Sequence, residues 1–155
     1  MRYYGQVLTL LNEFMSLAIE QAKLAAEMGE TPIGAVIVKE GEVIAEAHNL
    51  REKSNSVLAH AEILAIEQAT TKFKNWRLTN CDIYVTLEPC LMCAGAIIQS
   101  RMNSVYFGSY DTKNGALGIT LDLSTTNQPH KIKVYGGIME NECNKVISDF
   151  FSKIR

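Results

Sequence analysis

Ile83-Tyr84-Val85-Thr86-Leu87-Glu88-Pro89-Cys90-Leu91-Met92-Cys93 is the stretch from which the rest of the chain can be read. Ile83 to Leu87 is apolar almost throughout, as an interior strand covered on both faces would be. From Cys90 to Ser100 the pattern turns helical and apolar nearly all round, and Ala94, Gly95 and Ala96 leave room for close packing. Pro89 suits the first turn of that helix, where a missing N–H is no loss. A buried strand thus runs straight into a helix start that carries Cys-x-x-Cys. Thirty residues before Cys90, His60-Ala61-Glu62 stands at the predicted start of another helix, Ala59 to about Thr70.

These residue types at these places suit one kind of chemistry. A catalytic zinc keeps three protein ligands and leaves its fourth position to water. His60, Cys90 and Cys93 can be those three ligands. Glu62 is close enough to share the site without being forced onto the metal, so it can accept a proton from that water and pass it on. Cys90 at a helix start meets unpaired N–H groups and the positive end of the dipole, which favour thiolate over thiol. Plainer readings exist for each part. A Cys-x-x-Cys alone can be a redox pair or half of a structural zinc site, and a lone histidine is more often a core residue. No second cysteine pair is present to complete a ribbon-type site, and nothing around the motif resembles a thioredoxin. A zinc-binding module without activity would have no need of a free carboxylate at Glu62.

The remaining pattern predicts one α/β domain over residues 1–155. Leu11, Phe14, Ala18, Ala22, Ala25 and Met28 recur at helical spacing, predicting a helix over 9–28. Ile33 to Val38 and Val43 to Ala47, separated by Glu40-Gly41, predict an antiparallel hairpin. Val105 to Phe107 and Ile132 to Tyr135 read as further strands, with a loop over 109–120. Cys143, Val146, Ile147, Phe150 and Ile154 form the apolar stripe of a last helix. Strands alternating with helices after the hairpin predict a mixed five-stranded sheet in a three-layer α/β/α sandwich.

At 155 residues, 47% hydrophobic and 21% charged, the composition is that of an ordinary globular protein. Glu13 interrupts the apolar N-terminal stretch, no cleavage site follows, and no apolar run reaches membrane-spanning length, so a soluble cytoplasmic protein is expected. Disulfides are not expected there. Cys81 reads as opening a buried strand and Cys143 as a core residue. The net charge of −2 hides an asymmetry: residues 1–70 sum to −5 and residues 71–155 to +3. The second half is therefore the better candidate for facing phosphates.

His-x-Glu combined with Pro-Cys-x-x-Cys is the known signature of zinc nucleobase deaminases. The chain resembles the cytidine-deaminase-like superfamily, and within it the bacterial tRNA-specific adenosine deaminases. The likeness runs through Pro32-Ile33-Gly34-Ala35-Val36, His48-Asn49, Trp76-Arg77-Leu78, Ser100-Arg101, Phe107-Gly108, Asp111-Thr112-Lys113-Asn114-Gly115-Ala116-Leu117-Gly118 and Ser148-Asp149-Phe150-Phe151. The resemblance implies a homodimer that binds Zn²⁺ and converts the wobble adenosine in a tRNA anticodon loop to inosine. It further implies that Asn49 hydrogen-bonds the nucleoside, Glu62 shuttles protons, and the Cys90 N–H helps hold the attacking water. Asp111, Lys113 and Phe151 would touch RNA beside the flipped base. Ile119-Thr120 departs from the family's usual Ser-Leu, and Pro129-His130 from its Asn-His. The competing expectation is a deaminase of a free base or nucleoside (guanine, cytidine or adenosine) on the same scaffold.

Overall fold

The computed structural model describes residues 2–154. Helix α1 (Arg2–Glu27) leads into the hairpin β1 (Gly34–Lys39) and β2 (Glu42–His48), then α2 (Ala61–Phe73), β3 (Cys81–Leu87), α3 (Leu91–Gln99), β4 (Ser104–Ser109), β5 (Lys133–Tyr135) and α4 (Glu140–Lys153). The sheet order is β2-β1-β3-β4-β5. β1 is antiparallel to both β2 and β3, and β3, β4 and β5 run parallel.

Alternation along the strands divides the core into two layers. Ala35, Ile37, Ile83, Val85, Val105 and Phe107 face α2 and α3, meeting Ala61, Ala65, Ala69, Ala94, Ile97 and Ile98. Val36, Val38 and Tyr84 face the other way, onto Phe14, Met15, Ala18 and Ile19 of α1, with Cys143 of α4 in the same cluster. The expected three-layer sandwich with a mixed five-stranded sheet is what forms. Both flanking layers use small residues, so helices lie close to the sheet. Gly34 shows how close: a Cβ there would run into Ala18 O and sit 2.6 Å from Ala22 N, both helix backbone. Because backbone cannot swing aside, Gly34→Ala should destabilise the protein by roughly 1–3 kcal/mol. A melting curve checks this; an unchanged Tm would mean that α1 slides on the sheet.

Three details differ from the sequence expectations. α1 begins at Arg2, not near residue 9, and Tyr3, Tyr4, Leu8 and Leu10 on its first turns are exposed. Those turns continue the helix without packing on the sheet, so the apolar stripe could not reveal them. β4 and β5 are joined by a loop with a short 3-10 turn over Leu123–Thr125, so this parallel pair lacks a covering α-helix. Pro89 lies just before α3 instead of in its first turn, because Cys90 is the N-cap residue and the Pro89 carbonyl accepts from Ala116 N at 2.9 Å.

Candidate active site

Two helices that start at one end of the sheet build the site. His60 is the N-cap of α2 and Cys90 the N-cap of α3, both with extended backbone. Glu62 follows in the first turn of α2, and Cys93 in the first turn of α3. Their ligand atoms converge: His60 Nδ1 lies 3.7 Å from Cys90 Sγ and 3.6 Å from Cys93 Sγ. All three donor atoms fall within 4.8 Å of one another, a group that could hold a metal ion and that does not take in Glu62. Cys93 is fully buried at the bottom of the group.

The electrostatics of this cluster are strongly coupled. Cys90 is the acidic thiol, pulled down to about 4 chiefly by the Cys93 thiol hydrogen-bonded to it, against the effect of burial and with help from His60. Cys93, as the donor in that pair and buried besides, is pushed up. His60 is raised, first by its bond to Cys90. The expected lowering at Cys90 is thus present, with neighbouring side chains as its leading cause. Burial raises the Glu62 carboxyl, and its Oε1 is buried with no hydrogen-bond partner. An unpartnered carboxylate oxygen in the interior is expensive. Here it lies beside an open cavity of about 860 Å³.

That cavity collects the residues singled out in the sequence. His60, Glu62, Cys90, Asn49, Asp111, Lys113 and Phe151 all line it. Its volume is in the range of ligand pockets, roughly 300–1,000 Å³. A profile of the MafB19-like deaminase family matches residues 11–155. The chain is 47% identical to the tRNA-specific adenosine deaminase of Bacillus subtilis (strain 168), over 92% of its own length and 89% of the relative's. The chain belongs to the tRNA-specific adenosine deaminase family. Among solved structures, one from studies of A-to-I editing by tRNA:A34 deaminases at the wobble position of transfer RNA superposes with a TM-score of 0.81 at 43% identity. It covers 86% of this chain and 98% of that one. A guanine deaminase from Bacillus subtilis is more distant in shape, with a TM-score of 0.62 at 39% identity and 64% of each chain covered. The chain is a hydrolytic deaminase.

Around this deaminase pocket, several side chains have structural duties that the sequence could not separate from binding. Asn49 is buried, donates from Nδ2 to Thr31 O at 3.2 Å and accepts at Oδ1 from Arg51 N at 3.1 Å. Each end of an amide can make one more bond, so Asn49 keeps a donor and an acceptor for a ligand. Asp111 is occupied locally: Oδ1 accepts from Lys113 N and Asn114 N at 3.1 and 3.0 Å, which turns the loop. Phe151 is 40% exposed and packs edge-on against the half-buried Phe150. Of the departures from the family pattern, Thr120 closes the same loop by donating to Thr112 O at 2.7 Å, and Ile119 is exposed. His130 is tied by Nε2 to Met102 O at 2.6 Å, and neither it nor Pro129 lines the pocket.

Sequence reasoning missed two buried acids. Glu30 accepts from Glu52 N and Lys53 N at 3.2 and 2.6 Å and so shapes the loop after Asn49. Glu88 holds the loop after β4 in the same way. Asn144, Ile147 and Ser148 of α4 form a wall of the cavity. The one signal for Glu88 was its place beside Pro89-Cys90; Glu30 had none.

Proposed function

We propose that this chain converts adenosine to inosine at the wobble position of a tRNA anticodon loop, as a homodimeric, single-domain cytoplasmic enzyme that holds one Zn²⁺. The observation that carries the reading is the unpartnered Glu62 oxygen beside the His60, Cys90 and Cys93 donor set, in a cavity whose rim is formed by Asp111, Lys113 and Phe151. One histidine nitrogen and two thiols suit zinc by donor type. When bound there, Zn²⁺ would convert both thiols to thiolates and lower the pKa of a water in its fourth position to about 7.

The protein's own residues do the remainder. Glu62, buried and with one oxygen unpartnered, accepts a proton from the attacking water and delivers it to the ring nitrogen next to C6 of adenine. The new bond is C6–O, the bond that breaks joins C6 to its exocyclic amino nitrogen, and Glu62 passes the second proton of the added water to that nitrogen so that it leaves as ammonia. The Cys90 N–H helps hold the attacking water, and Asn49 uses its spare amide donor and acceptor to bind the nucleoside. An anticodon loop presents unstacked bases, so a pocket can take one in whole. Exposed Val57, Leu58 and Leu91, near His60 and Cys90 in the chain, supply apolar surface for a second copy to cover. No described helix is long and apolar enough to cross a membrane.

The deciding experiment offers an anticodon stem-loop, free adenosine, cytidine and guanine in parallel and follows ammonia release. Turnover of the stem-loop alone supports the reading, whereas consumption of free guanine or cytidine with the stem-loop untouched replaces it with the small-molecule alternative. Binding should weaken with salt, each phosphate contact on a single strand adding a slope of about −0.7 in log K against log salt. Lys113→Ala should make that slope shallower by about one such contact while leaving metal content unchanged. Removing the residues after Phe151 should likewise weaken RNA processing without touching the metal. A Lys113 variant with the parent slope would take that residue out of the RNA contact.

A further inference from the structure

The loop from Asp111 to Gly118 has no helix or strand of its own, yet it stands in a defined place across the pocket. A single buried side chain joins both of its ends. Glu88 is 3% exposed, and its two oxygens are used separately: Oε1 accepts from Asp111 N at 3.1 Å and Oε2 from Leu117 N at 3.2 Å. The adjoining backbone adds two more bonds, Glu88 N to Ser109 O at 2.8 Å and Ala116 N to Pro89 O at 2.9 Å. Both ends of the loop are thereby fastened to the turn that presents Cys90. The glycines in the loop record the same arrangement. A Cβ on Gly115 would land on the Glu88 carboxylate, and one on Gly118 would lie 2.9 Å from Glu88 Oε1. The carboxylate occupies the space that side chains at those positions would need.

We propose that Glu88 is a positioning residue that clamps the Asp111–Gly118 loop across the pocket mouth and thereby sets the affinity for RNA flanking the target base. This rests on reading that loop as an RNA contact. Glu88 has no part in the proton transfers, which belong to Glu62. Two N–H donors converge on Glu88, so a group with two acceptor atoms is required. Glutamine has nearly the same shape, but one of its ends is an NH₂ that would face an N–H. Glu88→Gln therefore loses one bond and leaves a buried donor unsatisfied without opening a cavity.

The test compares zinc-loaded wild type, Glu88→Gln and Gly118→Ala, the last crowding the carboxylate from the other side, since the atoms nearest its Cβ all belong to the Glu88 side chain. Each is assayed for metal content, for kcat and KM on an anticodon stem-loop, and for hydrogen exchange at the Asp111 and Leu117 amides. Expected for both variants are full metal content, a KM raised roughly tenfold with kcat little changed, and exchange faster by about the same factor at the amide that loses its acceptor. Because the two substitutions act on one contact, their effects should combine to less than the sum in the double variant. A wild-type KM together with wild-type exchange would overturn the proposal. So would a fall in kcat at constant KM, which would place Glu88 in the chemistry, or loss of metal, which would make it a support for Cys90 alone. Should wild type itself leave the stem-loop unprocessed, the substrate reading fails, and the exchange measurement still decides whether Glu88 is the clamp.

Discussion

Glu62→Ala should leave an enzyme that folds, keeps its metal and turns over on the order of 10²–10⁴-fold more slowly, the usual worth of a positioned acid–base side chain. Its ligand neighbours do not depend on it, since the converging donor atoms are those of His60, Cys90 and Cys93. Stability should respond in the opposite direction to activity. The native Glu62 is 4% exposed, with one oxygen unpartnered and a carboxyl raised by burial, so the fold carries a desolvated acid that gives little back. Because its site opens on a wide cavity, shortening the side chain leaves no sealed void to destabilise the variant. Glu62→Ala and the isosteric Glu62→Gln should therefore melt no lower than wild type, the pattern of a residue kept for function at the expense of stability. Metal analysis, melting curves and single-turnover rates on the stem-loop check this together. If Glu62→Ala loses metal while a His60 variant keeps it, their roles are reversed.

The features legible in the sequence are those written in short-range pattern. Cys90 and Cys93 lie three residues apart at a helix start, so one turn of α3 sets their geometry, and the same holds for His60 and Glu62 on α2. The strands β1 and β3 announced themselves through unbroken apolar runs because both of their faces are covered. Glu30 and Glu88 were opaque for the opposite reason. Their partners lie 22 to 29 residues away in loops, and a buried acid that accepts backbone N–H groups reads the same as a solvated one. The first turns of α1 were equally hidden, since they are helical without packing that would impose a stripe. The resemblance marked Asn49 as a nucleoside contact and Asp111 as a contact to flanking RNA, and the fold gives each a local task as well. What pattern cannot show is which of two duties a polar residue performs when its partners come from elsewhere in the chain.

Cys93→Ala should remove the metal and, with it, all measurable deamination, and should also lower the melting temperature. Cys93 is completely buried, anchored in the first turn of α3, and its Sγ is 3.6 Å from His60 Nδ1, so its removal takes one of the three converging donor atoms away. A metal that binds only the folded state stabilises it by RT ln(1 + [L]/Kd), about 4 kcal/mol when the free ion stands at a thousand times its Kd. For a chain of this length that corresponds to a Tm difference of about 10 °C. The same difference should separate wild type with zinc from wild type treated with a chelator, because both experiments remove one interaction. The two arms must then converge: a chelator should have no further effect on Cys93→Ala, whose melting curve should already match that of chelated wild type to within the small loss of packing at one sulfur. Zinc stoichiometry by elemental analysis, read beside the melting curves, distinguishes the ways this can fail. A Cys93→Ala protein that retains about one zinc per chain would show that the ligand set is different. One that loses zinc but melts like the zinc-loaded wild type would show that the metal serves the reaction alone and contributes nothing to holding α2 and α3 together.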